Sequence, residues 1–226
     1  AHNNLGTVLA KEGRADEAAQ AFQKALQYKP KYSRAAANLG QVLEGSSERS
    51  SSRTTLKNLV DADPDNMPLR LHFARVLVRS KMYEQAEQQL NTILEQEPEN
   101  LDAQEELGLL YIRTDRKSEG DDLLERVEAK DPARGGYRLN VARILLEENR
   151  AEEALTYADQ FLAEEPGSID AQLLRAEILQ ALGYEDEAEA AVNKLRQSHP
   201  ENGQVLAAAA NLHRRRGDRD KAIEAA

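Results

Sequence analysis

Chemistry at neutral pH is most often carried by histidine, and this sequence of 226 residues has four: His2, His72, His199 and His213. They are scattered, with no His-Glu-x-x-His pair on a helix and no Gly-x-Ser-x-Gly elbow for a nucleophile. There is no cysteine, which removes thiolate catalysis, disulfides and cysteine-ligated metals together. Carboxylates stand in pairs, as in Glu147-Glu148 and Glu152-Glu153, but these flank turns, whereas general acid–base work needs a carboxyl group in a dry pocket. Asp61, Asp63 and Asp65 are spaced like the start of a calcium loop. Asn66 stands where the turn glycine belongs, Pro64 interrupts, and His72 takes the place of the closing Glu, so the run reads as a turn. Arg216-Gly217-Asp218 also reads as a turn, and Arg214 to Arg216 as a solvated helix end. The expectation is a protein that is not an enzyme, with no catalytic residue, no cofactor and no metal.

The composition narrows the class further. Apolar residues make up 40%, charged residues 31% and aromatics 4%, which is too polar for one large core and too rich in Ala and Leu for a disordered chain. The net charge of −10 argues against nucleic acid as a partner, since basic surface is needed to displace its counterions. The longest apolar run, Val205 to Ala210, falls far short of a membrane span, so no membrane insertion is expected. The sequence opens on Ala1 and reads as a fragment of a longer protein.

The elements that would position a site follow from the prolines. Six of the seven stand at 30, 64, 98, 132, 166 and 200, each 34 residues after the last. That period marks a repeat architecture. Phased on it, one column reads Gly6, Gly40, Ala74, Gly108, Ala142, Ala176 and Ala210, and a second reads Ala18, Ser52, Ala86, Gly120, Ala154, Ala188 and Ala222. Positions restricted to Gly, Ala or Ser are those where two helix backbones come close. Around them run apolar columns such as Val8, Val42, Val76, Leu110, Ile144, Ile178 and Leu212, at helical offsets. Gly13, Ser47, Lys81, Asp115, Asn149, Gly183 and Gly217 fall between the two helices of each repeat, mostly types that tolerate tight or left-handed turns.

Leu5-Gly6, Leu9, Ala18, Phe22, Ala25 and Pro30, with their counterparts in later copies, resemble the tetratricopeptide repeat over the whole chain. The repeats run 1–32, 33–66, 67–100, 101–134, 135–168, 169–202 and 203–226, the first lacking two residues and the last incomplete. The resemblance implies an all-α fold: a right-handed superhelical solenoid of antiparallel helix pairs whose first helices line a concave groove. It implies a non-catalytic scaffold for protein–protein interaction, its partner a protein or peptide. In the family, places 2, 5, 6, 9, 12 and 13 of each repeat line the groove. Carried onto this sequence, these include Leu71, Arg75, Val78, Arg79, Leu109, Ile112, Arg113, Leu139, Arg143, Leu146 and Leu173. An apolar strip edged by arginines suits a peptide or partner helix with Leu-like anchors and some acidic residues. The alternative is that places 5 and 12 bury against the neighbouring first helix.

Two family-specific patterns can be checked. The carboxylate clamp of chaperone-tail binders is absent, since its frame reads Asn3, Thr7, Asn38, Pro68 and His72. The asparagine ladder of O-linked glycosyltransferase arms, whose amides grip a peptide backbone, is matched by Asn4, Asn38 and Asn140 and broken by His72, Glu106, Leu174 and Ala208. A recruiting arm of a larger enzyme is therefore the runner-up, and self-association through Leu206, Leu212 and Ile223 a third option. The second helix of repeat two, which follows a Ser-rich turn, is expected to start late. Arg175 and His213 stand where apolar residues are expected, with no assigned role.

Overall fold

Helix boundaries keep the period of the sequence. In the computed structural model, which describes residues 1–215, six second helices begin at Ala15, Arg49, Tyr83, Lys117, Ala151 and Glu185, 34 residues apart without a slip. In chain order the helices are α1 (His2–Lys11), α2 (Ala15–Tyr28), α3 (Ser33–Glu44), α4 (Arg49–Ala62), α5 (Met67–Arg79), α6 (Tyr83–Gln96) and α7 (Leu101–Arg113). They continue as α8 (Lys117–Lys130), α9 (Tyr137–Glu147), α10 (Ala151–Glu164), α11 (Ile169–Ala181), α12 (Glu185–Ser198) and α13 (Gly203–Arg215). No strand occurs among the described residues. The Arg216–Asp218 turn, Ala222, Ile223 and the side chain of His213 lie outside the described residues.

Local chemistry explains most starts and stops. Each second helix ends two residues before a period proline, which fixes the following turn. Most first helices start at a capping residue. The side-chain oxygens of Asn66, Asn100, Ser168 and Asn202 accept from the N–H groups of Leu69, Ala103, Ala171 and Val205 at 3.2, 3.0, 3.3 and 3.2 Å. Second helices carry another recurring device: Arg14, Arg116 and Arg150 each donate from Nε to the Glu three residues on, at 2.7, 2.9 and 2.7 Å. The acidic first turns this creates complement the helix dipole.

Repeat two does not behave as expected. Its second helix, α4, starts in phase, because the Ser46 hydroxyl accepts the Glu48 N–H at 3.1 Å and closes the turn locally. The late helix is in repeat five. Arg134 cannot cap, Pro132–Arg134 forms one 3-10 turn, and α9 begins only at Tyr137, after Gly135 and Gly136. Tyr32 caps nothing either, yet α3 starts on time. The distinguishing feature is the glycine pair, whose backbone entropy opposes helix initiation.

By contacts the chain divides into two compact units, Ala1–Val127 and the part from Glu128 onward. In each, a second helix packs on its own first helix and on the next one: α2 on α3, α4 on α5, α6 on α7, and in the second unit α10 on α11 and α12 on α13. Phe22, Leu39, Leu56, Leu69, Leu90 and Ile93 are sealed in the first unit; Val141, Leu145, Ile178 and Leu179 are sealed in the second. Each such side chain contributes about 1.5–3 kcal/mol by leaving water. The small columns lie at the crossings: a Cβ built on Gly108 would stand 2.8 Å from Leu124 Cγ, and one on Gly120 would stand 2.8 Å from the Gly108 carbonyl oxygen.

Candidate functional site

In the first unit, the face carried by the first helices is a row of polar contacts passing from helix to helix. It begins with Asn38 on α3, whose amide donates to Asn3 Oδ1 on α1 at 3.1 Å. Glu44, at the end of α3, reaches α5. Its Oε2 lies 2.6 Å from His72 Nδ1 and 3.8 Å from an Arg75 Nη, and its backbone carbonyl accepts from the Arg79 guanidinium. Arg75 in turn donates from Nε to Glu106 Oε1 on α7 at 2.6 Å. One guanidinium therefore bridges two carboxylates from flanking repeats.

That sharing pushes the two acids in opposite directions. Burial works against charge on Glu44, but the bond to His72 and the charges of Arg75, His72 and Arg79 outweigh it and hold the carboxyl below its usual range. At Glu106 burial dominates. Arg75 offsets it only in part while Glu44 and Glu105 add repulsion, so this carboxyl titrates above its usual range. Arg75 itself is also buried, yet Glu106 and Glu44 keep it firmly charged.

In the second unit the corresponding face is open. Arg143 on α9 is exposed and has no hydrogen bond or ion pair among the described residues. It stands at the repeat place of Arg75, but where Arg75 finds Glu106 at place 6 of the next repeat, the counterpart for Arg143 is Leu174, which is buried and carries no charge. A pocket of about 320 Å³ forms here, lined among others by Arg143 on α9, Asp170, Leu173 and Glu177 on α11, and Gln204, Asn211 and Arg214 on α13. Arg214 donates from Nη2 to Asn211 Oδ1 at 2.8 Å, which fixes that amide.

The residues expected to line a groove divide three ways. Leu71 and Ile112 are corrections: at 7% and 0% exposure they belong to the core, covered by neighbouring helices, and offer nothing to a partner in this conformation. Arg75 is engaged in the ion-pair row, whereas Val78, Leu109, Arg113, Leu139, Leu146 and Leu173 are half-buried. Arg79 and Arg143 are exposed. Of the amides, Asn4 and Asn140 are exposed, and Asn38 is tied to Asn3. For self-association, Leu212 is buried and Leu206 half-buried, whereas the large hydrophobic side chains exposed among the described residues are Leu5 and Val8 on α1, Tyr28 and Tyr184.

Sequence reasoning missed Glu44 and Glu106 as partners of the arginines, and His72 as the partner of Glu44. Their signal was present: Arg at place 9 faces an acid at place 6 of the next repeat. Arg175 now has an account, since its Nε donates to Asp159 Oδ1 at 2.6 Å on the protein surface. In the aspartate run, Asp61 pairs with Lys57 at 2.6 Å and Asp63 accepts from the Ser33 hydroxyl at 2.9 Å. Among the described residues no group of three or more His, Asp or Glu could hold a metal ion. No described helix is long and apolar enough to cross a membrane.

Comparison with known proteins agrees with the repeat pattern. A tetratricopeptide repeat family model matches residues 51–104 and 145–212, and two further tetratricopeptide repeat models match 1–32 and 118–169. A search of curated protein sequences returns no match. Among solved structures, a tetratricopeptide repeat protein from Parabacteroides merdae is similar at TM-score 0.69 and 16% identity, covering 99% of this chain and 89% of that one. PilW, a type IV pilus biogenesis factor, is similar at 0.70 and 15%, covering 90% and 94%. YrrB, a tetratricopeptide repeat protein described as having an unusual peptide-binding site, is similar at 0.55 and 18%, covering 75% and 88%. At these identities the likeness is one of fold.

Proposed function

This chain belongs to the tetratricopeptide repeat family, and we propose that it is a non-catalytic scaffold whose first-helix face holds a peptide or partner helix. The observation that carries the reading is the contrast between Arg75 and Arg143. In the first unit the arginine at place 9 is consumed by Glu106 and Glu44; in the second it is left open beside a pocket with a leucine wall. An exposed cation next to Leu173, with the amides of Gln204 and Asn211 across from it, offers an anchor for an apolar side chain, donors and acceptors for a peptide backbone, and a contact for an acidic residue. The peptide-binding site described for YrrB, on the same fold, supports the same use of such a surface. The half-buried Leu139 and Leu146 and the exposed Asn140 extend the proposed contact surface.

The test is affinity capture from an extract of the source organism, comparing the chain with an Arg143→Glu/Leu173→Glu variant of equal helicity. A protein retained by the first and lost by the second supports the reading. Identical capture by both, or capture by neither, sinks it.

A further inference from the structure

Three repeats give place 4 of the first helix one shared task. Gln104 donates from Nε2 to the carbonyl of Pro98 at 2.6 Å, Gln172 does the same to Pro166 at 2.6 Å, and Arg70 donates from Nη2 to Pro64 at 2.7 Å. The bond ties each inter-repeat turn to the helix that follows. A neutral amide is enough for it in two of the three repeats. In repeat three the task falls to the guanidinium of Arg70, a residue only 9% exposed.

Arg70 brings a charge into the interior without an anion to balance it. Its other bond, from Nη1 to Gln89 Oε1 at 2.5 Å, is again to a neutral group, and among the described residues its buried Nε has no acceptor. Two other partly buried arginines of this unit meet carboxylates, Arg75 with Glu106 at 2.6 Å and Arg116 with Glu87 at 2.8 Å, whereas the half-buried Arg53 donates to Met82 Sδ at 3.3 Å. A buried charge served only by neutral partners is unfavourable unless an anion completes it. Two of the five guanidinium N–H groups are used, so the ring of donors is held in place by Pro64 and Gln89 and still incomplete.

The side chain lines a cleft of about 780 Å³ between α4 and α6, on the second-helix side of the first unit. Val60, Phe73 and Leu77 contribute apolar lining, and Gln85 and Gln88 present amides along the α6 wall. Lys57 and Asp61 on the α4 wall neutralise each other at 2.6 Å, and Glu84 stands on the α6 wall. We propose that this cleft receives a carboxylate side chain, Asp or Glu, of a partner polypeptide, with Arg70 as the receptor for the anion. A carboxylate matches the planar donors of a guanidinium and brings a single charge. Glu84 repels a phosphate dianion more strongly than a monoanion. The site is separate from the first-helix face and does not rest on the reading of that face.

The test follows the arginine Nε–Hε resonances of the chain by ¹H–¹⁵N NMR, with Arg70 assigned by its loss in Arg70→Gln. The probes are N-acetyl-glutamate N-methylamide, the corresponding glutamine compound and inorganic phosphate, at matched concentration and ionic strength. The Arg70 resonance is expected to shift with the glutamate probe and saturate, to stay in place with the glutamine probe, and to move less with phosphate. Arg70→Gln keeps the bond to Pro64, as in repeats four and six. The glutamate probe is expected to raise the melting temperature of the unsubstituted chain and leave that of Arg70→Gln unmoved. A resonance that moves with no probe, moves equally with both amides, or moves further with phosphate overturns the proposal. So does an equal thermal response of the two chains.

Discussion

Arg75 on α5 and Glu106 on α7 meet at 2.6 Å across the boundary between repeats three and four, and the same guanidinium stands 3.8 Å from Glu44 on α3. One cation thus serves two carboxylates in three consecutive repeats. Glu44 also has His72 and is held below the usual carboxylate range, whereas the more deeply buried Glu106 has Arg75 alone and is held above it.

The two acids should therefore respond oppositely to neutral isosteres. Glu44→Gln removes a carboxylate that the fold favours in its charged form, and is expected to lose about 1–2 kcal/mol at neutral pH. That loss should fade as the pH falls from the ordinary Glu value through the depressed folded-state value, where Glu44 is protonated in the unsubstituted chain as well. Glu106→Gln removes a charge the fold disfavours and is expected to gain about 0.5–1 kcal/mol at neutral pH. Its gain should shrink as the pH falls through the raised folded-state value and vanish below the ordinary one. Urea unfolding at a series of pH values reads both. Parallel curves for the two variants would show that the acids do not share Arg75 as described.

Gly108 tests the close helix crossing of repeat four. Any Cβ there would meet Leu124 Cγ at 2.8 Å and the Gly120 carbonyl oxygen at 3.2 Å. Gly108→Leu is expected to destabilise by about 1–3 kcal/mol through overpacking. An unchanged melting temperature would contradict the phasing of the small columns.

Ser52 occupies the small column of second helices where Ala18, Ala86, Ala154 and Ala188 stand in other repeats. It is 1% exposed and its hydroxyl has no hydrogen-bond partner among the described residues. Ser52→Ala removes a buried polar group without changing the packing, so thermal unfolding should show a gain of about 1 kcal/mol. A loss of stability would mean that the hydroxyl is satisfied in solution.

Lys81 holds the turn of repeat three at φ 59°, in the left-handed region that Gly13 and Gly183 occupy in their own repeats. A side chain there costs about 1–2 kcal/mol relative to glycine. Lys81→Gly is expected to recover part of that, about 0.5–1 kcal/mol after the added freedom of the unfolded chain is subtracted. Chemical denaturation of the two proteins gives the sign directly.

What the amino-acid sequence determined by itself was everything that depends on neighbours along the chain. The prolines, the small columns and the helical offsets prescribed paired helices at a constant period, and Gly13, Lys81, Asp115, Asn149 and Gly183, all at the turn position inside a repeat, adopt positive φ. Among the described residues only repeat five slipped, where Gly135 and Gly136 delayed a helix that the period placed correctly to within two residues. The identity of the groove residues was a different matter. Leu71 and Leu139 share a place in the repeat, yet the first is buried and the second half-buried. A helical stripe specifies which side chains lie on one face, but the repeat packed beside it decides how far that face is covered. The arginines show the same division. Arg75 and Arg143 are alike in the sequence, and only the tertiary structure distinguishes a cation bonded to an acid 31 residues away from one left open to solvent. Coulomb energy depends on distance through space, which the spacing of residues along a chain does not contain.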